Sequence, residues 1–420
     1  MGVNLERVMN DMEQMAAFTA TPGCGVTRLS YTKEDRMAKE YLAGEMKKIG
    51  LKVWEDGFAT LFGRREGKNP DAPVIMIGSH YDSVTNGGAF DGTAGVIAAL
   101  ETLRVLEEEQ AENEFPIEIA AMNSEEGHRF GAGTGVANSR AMVGRMLEQE
   151  LDLAKDAQGI SKREAMREYG FTPDLKSCIR KKGSVKTFLE LHVEQSASLE
   201  DAGKDIGLIE FFPGIGRYDV KFTGKPANSA VPVEQRQDAL LAASEFVVSV
   251  NKIAKESRGA IAGTVGMLQI VPNIFTYVPH YVETIAEFRI IEKEAAKEIH
   301  ILKRLKEEAE RIQKETNVEI DIKERARAGY PNPTDPCVMC ESNNRRIQEI
   351  CRKLGYSYMM INNGTGHDAM IMSEYIPTNM ILVPSKGGIS HHPDEWTDYE
   401  DLKKGIDVML RLVRELSCGE

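Results

Sequence analysis

The sequence has fewer basic than acidic residues and no long apolar run. Lysine and arginine contribute 52 residues against 65 aspartates and glutamates, so the net charge is −13. A chain this acidic is poorly suited to the phosphate backbone, and we expect no nucleic-acid partner. No uncharged apolar run reaches the length of a membrane span, and no basic leader precedes an apolar core. We therefore expect a cytoplasmic protein without a membrane partner.

Cysteine is scarce, and two enzyme motifs are missing. Six cysteines are spread over the chain, and the close pair Cys337 and Cys340 has no second pair to complete a zinc site. We therefore expect reduced, structural thiols. The G-x-S-x-G elbow of serine hydrolases is absent. The GAGTG stretch from Gly131 to Gly135 does not lead from a strand directly into a helix, which argues against dinucleotide binding.

Alternating strand and helix patterns fill the chain up to about Glu210. The strand candidates are LKVWED, ATLFGR, PVIMIG and PIEIAAM. Helical patterns lie among them, and one of these runs from a Thr32 cap through Lys48 and is closed by Gly50. We predict an α/β fold in which a mostly parallel sheet carries helices on both faces.

The pattern of strands and helices changes from about Phe211, and this change predicts a second, smaller α+β domain. Its long helix has one apolar stripe, made of Ala295, Ile299, Leu302, Leu305, Ala309 and Ile312. The segment AGYPNPTDP from Ala328 is predicted to be a linker, after which helix and strand alternate again. We expect a catalytic, metal-binding domain of residues 1–210 and 324–420 and an inserted lid and dimerisation domain of residues 211–323.

Ionisable side chains follow several of the predicted strands. They are His80, Asp82, Asp91, Glu125, Glu126, His192 and His391. Sheets of α/β proteins carry their sites in the loops beyond the carboxyl ends of the strands. A pair of divalent ions needs mixed imidazole and carboxylate ligands, including one carboxylate that bridges the ions. Each motif alone is a weak signal, but the whole set favours such a site.

Spacing assigns these side chains different tasks. His80 and Asp82 are two apart on an extended segment, so they point to the same face, and Asp82 can hydrogen-bond the far nitrogen of the His80 ring. Asp91 is then free to bridge two ions. Adjacent Glu125 and Glu126 point in different directions, so Glu126 can bind metal while Glu125 acts as a general base.

The motifs occur together in an order that resembles one known family. GSHYDSV, GGAFDGTAGV, SEEGHRFG, NSRAMVG, ELHVEQ, GTGHDA and GISHHPDE are similar, in order and approximate spacing, to motifs of the amidase, hydantoinase/carbamoylase family. That family includes N-carbamoyl-L-amino-acid hydrolases, allantoate amidohydrolases and β-ureidopropionases, which are relatives of binuclear metallopeptidases. The resemblance runs from about Gly25 to the last helix.

The resemblance implies two divalent metal ions and a set of residue roles. The implied ligands are His80, Asp91, Glu126, His192 and His391, with Asp91 bridging; His392 is the alternative to His391. Glu125 is implied as catalytic base, and Gln195 and Arg289 as substrate contacts, with Arg289 holding a carboxylate. His367 lines the site or instead caps the helix that begins at Asp368. Zinc, manganese, cobalt and nickel all suit such ligands.

Two replacements fall where the lid of this family contacts substrate. Asn228 in PANSAVP stands where the family has His, and Thr276 in FTYVP stands where it has Asn. Asn228 can donate a neutral hydrogen bond to an oxyanion but cannot become cationic, and Thr276 has a shorter side chain than Asn. His280 and His128 also depart from the family pattern. We therefore expect altered specificity or low activity on carbamoyl amino acids, unless neighbours such as His280 supply the missing contacts.

These observations predict a metal-dependent hydrolase that cleaves a linear amide or ureido C–N bond of a small carboxylate-bearing substrate. A peptidase or aminoacylase with the same metal site is the runner-up among enzymes. A binding module that has lost catalysis is the non-enzymatic alternative. The resemblance also favours a homodimer formed through the inserted domain, whose small sheet has an edge strand that needs covering.

Overall fold

The structure is a computed structural model that describes residues 2–131, 133–325, 331–362 and 366–418. Parts of three predicted features lie outside these ranges: one residue of the GAGTG stretch, the first three of the AGYPNPTDP segment and the first two of the GTGHDA motif. The chain forms two units, one of Met1–Phe211 with Val338–Glu420 and one of Phe212–Cys337. The second unit therefore interrupts the first in sequence.

The strands of the described ranges are, in chain order, β1 Lys52–Glu55, β2 Leu61–Arg65, β3 Val74–His80, β4 Ile117–Met122, β5 Val185–Val193, β6 Ile206–Ile209, β7 Phe211–Phe212, β8 Gly214–Thr223, β9 Ala227–Asn228, β10 Ile261–Val271, β11 Tyr277–Val278, β12 Tyr281–Ile290, β13 Glu319–Glu324, β14 Cys337–Val338, β15 Tyr358–Ile361 and β16 Thr378–Val383. In the first unit they form a large sheet with the order β1-β2-β4-β3-β5-β16-β6-β15. Its neighbouring strands β4, β3, β5 and β16 are mutually parallel. The carboxyl ends of these four strands therefore lie at the same edge.

The helices of the described ranges are α1 Leu5–Ala17, α2 Lys33–Lys48, α3 Thr93–Glu108, α4 Ala137–Met142, α5 Glu150–Leu153, α6 Lys162–Glu168, α7 Leu175–Cys178, α8 Ser198–Ala202, α9 Ala239–Glu256, α10 Lys293–Ile299, α11 Ile301–Thr316, α12 Glu341–Leu354, α13 Asp368–Met372 and α14 Tyr399–Ser417, with 3₁₀ turns at His128–Phe130, Val233–Gln235 and Lys386–Gly388. The predicted cap of α2 is confirmed, because the Thr32 side chain accepts a hydrogen bond from the Asp35 N–H group.

Burial explains the apolar runs of the central strands. Every residue of β3 and of β4 is buried, which is typical of parallel strands covered on both faces and accounts for the lack of alternation in PVIMIG and PIEIAAM. The helix α3 is buried from Thr93 to Leu106, and it shares one apolar core with α1, α14 and the sheet. The predicted α/β fold with a mostly parallel sheet is thus confirmed.

The second unit is built on a four-stranded antiparallel sheet with the order β10-β12-β8-β13. Helices α9, α10 and α11 share its apolar core. The long helix predicted from the sequence is wrong in one respect: it breaks into α10 and α11 at His300, which has a left-handed φ of 51°. On both sides of the break the buried positions differ from the predicted ones: Ala296 is buried more fully than Ala295, and Ile301 more fully than Leu302.

The second unit also ends later than the predicted boundary after Lys323. Ile215 donates its N–H group to Thr334 Oγ1 at 2.8 Å, and the Thr334 N–H group donates to the Ile215 carbonyl at 2.9 Å. Arg217 donates its N–H group to Asn332 Oδ1 at 2.8 Å. The described part of the predicted linker therefore runs along β8 as part of the second unit, which ends at Cys337.

Candidate active site

Asp91 lies in a cluster of imidazole and carboxylate groups that follow the carboxyl ends of β3, β4, β5 and β16. Its loop runs from β3 to α3 and also contains His80 at its start. Gly92, the next residue, has φ of 61°, and a side-chain carbon built there would lie 2.3 Å from the His80 ring. The Asp91 turn therefore approaches His80 so closely that only glycine fits at this position.

One oxygen of Asp91 faces two buried histidines. Asp91 Oδ1 is 3.1 Å from His192 Nε2 and 3.4 Å from His80 Nε2. The two Nε2 atoms are 3.3 Å apart. The Nδ1 atom of His192 lies 2.8 Å from the Val193 carbonyl, a hydrogen bond that orients the ring from its opposite edge. The imidazole nitrogens that face Asp91 thus converge on one point.

The other oxygen of Asp91 faces a different pair of side chains. His391 Nε2 lies 3.4 Å from Asp91 Oδ2 and 3.5 Å from Glu126 Oε1. Neighbouring His392 is exposed, and its Nδ1 accepts the N–H group of Asp394 at 3.2 Å. Of the two adjacent histidines, His391 is therefore the one beside the carboxylates. It has a left-handed φ of 56°, which sequence analysis does not predict.

The hydrogen bonds of Asp82 differ from the predicted ones. The closest contact of His80 Nδ1 within Asp82 is the backbone carbonyl at 3.1 Å, while the nearest carboxylate oxygen is 3.6 Å away. The carboxylate instead accepts the N–H groups of Glu125 at 3.0 Å and Glu126 at 3.2 Å. Asp82 therefore holds the backbone of the two glutamates, and its main chain orients the ring of His80.

Burial and charge shift the pKa of most of these groups. Burial raises the pKa of Glu125 well above its usual range, and it raises the pKa of Glu126 to about 8 with a further contribution from the charge of Asp91. Burial also opposes ionisation of Asp91, but hydrogen bonds with three histidines hold its pKa well below the usual range. The bond to Asp91 raises the pKa of His391 to about 9. Carboxyls that resist ionisation beside an ionised one mark a place where a cation is strongly stabilised.

Two predicted substrate contacts of the first unit lie beside this cluster. Gln195 donates from Nε2 to Asp91 Oδ2 at 2.9 Å. The ring of His367 is 4.6 Å, centroid to centroid, from that of His192. Burial lowers the pKa of His367 well below its usual range, so this imidazole is neutral. His367 precedes α13, but its side chain makes no capping hydrogen bond, so the capping interpretation is wrong.

The remaining predicted substrate contacts lie in the second unit. Asn228 in β9 pairs with Tyr277 of β11, and the Ser229 N–H group donates to the Thr276 carbonyl at 3.1 Å. The two replaced positions, Asn228 and Thr276, are therefore neighbours on one small sheet. Arg289 in β12 contacts Glu287 Oε1 at 2.9 Å, two residues along the same strand.

Arg28, which no sequence motif indicates, supports the loop of Asp91. The guanidinium is buried and donates to the Tyr81 carbonyl at 2.5 Å, to the Met15 carbonyl at 2.6 Å and to Thr93 Oγ1 at 2.9 Å. Burial lowers its pKa to about 10, so it stays charged at neutral pH. It thereby joins both ends of the segment that carries His80 and Asp91. The GVTRL stretch gives no local sign of these contacts.

The donor chemistry of the cluster fits divalent metal ions. Three groups have donor atoms within 4.8 Å of one another: His80, Asp91 and His192; His80, Glu125 and Glu126; and Asp91, Glu126 and His391. Neutral imidazole nitrogens and carboxylate oxygens are ligands that zinc and its first-row neighbours accept. The fold and this donor set together are typical of α/β proteins that bind divalent metal ions beyond the carboxyl ends of parallel strands.

The chain belongs to the peptidase family M20/M25/M40, whose model matches residues 76–415. It is 37% identical over 420 residues to an N-carbamoyl-L-amino acid amidohydrolase of Geobacillus stearothermophilus, covering 99% of each chain. It is 35% identical over 413 residues to an N-carbamoyl-L-amino-acid amidohydrolase of Paenarthrobacter aurescens, covering 98% of each. A solved amidase of the hydantoinase/carbamoylase family from Burkholderia multivorans superposes with a TM-score of 0.87 at 30% identity, covering 99% of this chain and 98% of that one.

These comparisons confirm the family resemblance that the motifs predict. The chain is accordingly a hydrolase that acts on C–N bonds other than peptide bonds. Among the described helices, none is both long enough and apolar enough to cross a bilayer.

Proposed function

We propose that the protein is a binuclear metal-dependent amidohydrolase that cleaves a linear amide or ureido C–N bond of a small carboxylate-bearing substrate. N-carbamoyl-L-amino acids are the first candidates, because both amidohydrolase relatives are named for them. Allantoate is the second candidate within the same bond class. The observation that carries the proposal is that the two carboxylate oxygens of Asp91 face two different sets of possible metal ligands.

That division supports the following proposed metal ligands. His80, Asp91 and His192 would hold one ion, and Asp91, Glu126 and His391 would hold the other. When bound, such ions polarise a carbonyl oxygen and lower the pKa of a water molecule between them. Asp82 supports both sets, since its carboxylate holds the backbone of Glu126 and its carbonyl orients His80.

Glu125 is the proposed general base. Its carboxylate lies 3.9 Å from His80 Nε2, next to the first donor set, and it is buried. Burial raises its affinity for a proton, which suits a group that must take a proton from water and return it to the departing nitrogen. The neighbouring Glu126 points instead toward His391, so the two adjacent glutamates have separate tasks.

Substrate recognition is proposed to involve five polar or charged side chains. Gln195 and His367 would contact the substrate from the first unit. Asn228, Thr276 and Arg289 would contact it from the second, with the guanidinium of Arg289 binding the substrate carboxylate. Asn228 and Thr276 are neighbours on one small sheet, and we propose that their replacements together alter substrate specificity.

The second unit, residues 212–337, is proposed to serve as lid and dimerisation domain. Its sheet ends in β10, an edge strand whose residues are mostly exposed. Pairing between copies would satisfy the free backbone groups of such a strand. The resulting assembly would be a homodimer.

A metal analysis and a substrate panel test the proposed function. Protein loaded separately with zinc, manganese, cobalt or nickel is expected to hold about two ions per chain and to turn over at least one ureido or carbamoyl substrate. The panel should contain N-carbamoyl-L-amino acids, allantoate, ureidoglycolate, N-acyl amino acids and dipeptides. Preference for dipeptides or N-acyl amino acids would replace the proposal by a peptidase or aminoacylase. Less than one ion per chain with every metal, and no turnover, would favour a binding module.

A further inference from the structure

Glu395 is a buried carboxylate that no part of the proposed chemistry uses. It belongs to the GISHHPDE motif, between β16 and α14, and its residue surface is 3% exposed. Its N–H group donates to the His392 carbonyl at 3.1 Å, which closes a turn directly after His391. Glu395 is therefore fixed to the loop that carries one candidate metal ligand.

The side chain of Glu395 reaches a second loop, 304 residues away in sequence. Its Oε1 atom accepts the N–H groups of Phe90 at 3.0 Å and Asp91 at 2.9 Å. Gly88 lies against the same carboxyl group, and a side-chain carbon built at Gly88 would be 2.2 Å from it. One oxygen thus holds two consecutive peptide groups of the Asp91 turn.

These two hydrogen bonds determine where the carboxylate of Asp91 points. A hydrogen bond from an N–H group to a carboxylate is stronger than one to a neutral acceptor. Holding the N–H groups of Phe90 and Asp91 fixes the peptide planes on the amino side of Asp91. The carboxylate of Asp91 must face His192 with one oxygen and His391 with the other, so a small rotation of this turn would misalign both donor sets.

We propose that Glu395 is a positioning residue that sets the affinity of Asp91 for divalent ions by fixing the backbone of its turn. The inference rests on the proposed metal-binding function and extends it to a residue that hydrogen-bonds the backbone of the Asp91 turn. Groups that orient metal ligands typically contribute 10- to 100-fold in metal affinity. Glu395 also joins the loops of Asp91 and His391, so it sets their spacing.

The test measures Zn²⁺ affinity of metal-free protein by competition with a chromophoric chelator, with near-UV circular dichroism as the check of folding. Glu395→Ala is expected to weaken binding 10- to 100-fold. Glu395→Gln keeps an oxygen acceptor for both N–H groups and is expected to stay within about threefold of the native protein. If Glu395→Ala does not fold, Gly88→Ala replaces it, because the new methyl group displaces the Glu395 carboxyl.

Asp56 supplies a matched control. Its Oδ1 atom accepts the N–H groups of Phe58 at 2.9 Å and Thr60 at 3.0 Å in the turn between β1 and β2. Like Glu395 Oε2, its second oxygen is buried without a hydrogen-bond partner in the described part of the chain. Asp56→Ala is expected to lower the Tm while leaving Zn²⁺ affinity within about threefold.

Three results would overturn the inference. Native affinity in folded Glu395→Ala, or in Gly88→Ala where the first does not fold, would show that the turn needs no such support. An equal loss of affinity in Asp56→Ala would show that any lost turn contact has the same effect. A native protein that binds no Zn²⁺ would instead overturn the proposed metal function, and the role of Glu395 with it.

Discussion

At the scale of single residues, the cluster around Asp91 concentrates charge where water is largely excluded. The side chains of Asp91, Glu125 and Glu126 are at most 10% exposed, and those of His80 and His192 are at most 1% exposed. Buried carboxylates are costly unless cations balance them. Within the protein the balance comes from protons on the histidines, since the pKa values of His80, His192 and His391 are all raised. A divalent ion must therefore compete with protons for its ligands.

Metal binding is expected to release protons at neutral pH. The metal-free pKa of His391 is about 9, above its ordinary value, so the ring is protonated below pH 9 and must lose that proton to bind an ion. The proton on His391 alone should lower metal affinity by about tenfold per pH unit as the pH drops below 9, and this contribution should level off above 9. Calorimetry in two buffers of different ionisation enthalpy gives the proton count. We expect about one proton fewer for His391→Asn, and zero release by the native protein at pH 7 would contradict the assignment.

Glu125→Gln should abolish turnover without loss of metal. The amide keeps the shape of the side chain but cannot accept a proton, and loss of a general base lowers the rate by about 10² to 10⁴. The measurements are kcat and metal content by elemental analysis. Glu126→Gln is the adjacent control, which should lower metal content because Glu126 faces the second donor set. Near-native turnover in Glu125→Gln would move the base to another group.

Asn228→His tests whether the lid replacements limit activity on carbamoyl amino acids. A histidine can become cationic beside a developing oxyanion, and one strong oxyanion donor is worth about 10² to 10³ in rate. We expect kcat/KM for the best carbamoyl amino acid to rise in this variant and to fall in Asn228→Ala. A native kcat/KM already above about 10⁴ M⁻¹s⁻¹, unimproved by histidine, would show that neighbours such as His280 supply the contact.

At the scale of elements, the strand β10 is the surface proposed for self-association. It pairs with β12 on one side, and Met267, Leu268 and Val271 are exposed along or at the end of it. Leu268→Lys places a charge on this edge and is expected to shift a native dimer toward monomer in light scattering at micromolar concentration. Val248→Lys, at an exposed apolar position of α9, should leave the dimer intact. A monomeric native protein, or dissociation by Val248→Lys alone, would contradict this assignment.

Most elements could be predicted because their signals are local. The apolar run of β3 and the Thr32 cap of α2 each depend on a few adjacent residues. The break at His300 could not be predicted, because Ile299 and Leu302 continue the helical apolar stripe across it. The prolines of residues 331–336 indicate a linker, yet Asn332 and Thr334 of this stretch hydrogen-bond Arg217 and Ile215 of β8.

At the scale of the whole molecule, the candidate ligands could be predicted and their supports could not. Ligand types are visible in the sequence because imidazoles and carboxylates stand out in loops of small residues. The carboxylate of Asp82 hydrogen-bonds a residue 43 positions away in the sequence, and the guanidinium of Arg28 hydrogen-bonds residues 53 and 65 positions away. The carboxylate of Glu395 hydrogen-bonds a residue 304 positions away. Such contacts exist only in the folded chain, so no spacing in the sequence reveals them.

Bound metal is expected to stabilise the first unit against heat. An ion that binds only the folded state adds about 4 kcal/mol when its free concentration is 1,000 times its Kd. Calorimetry with added zinc or manganese should therefore show a higher Tm than with a chelator. His192→Ala, which removes one candidate ligand, should lose much of this difference. An equal shift in the native protein and in His192→Ala would place the stabilising ion elsewhere.

The close approach at Gly92 has a consequence for how this protein tolerates substitution. A methyl group at Gly92 would press on the His80 ring, and one at Gly95 would lie 2.1 Å from the Leu191 carbonyl of β5. Neither residue has a reactive side chain. A saturation screen for activity should nevertheless score both positions as intolerant as the histidines themselves. Ranking residues by reactive groups alone would therefore underestimate how much of this site is encoded by the absence of a side chain.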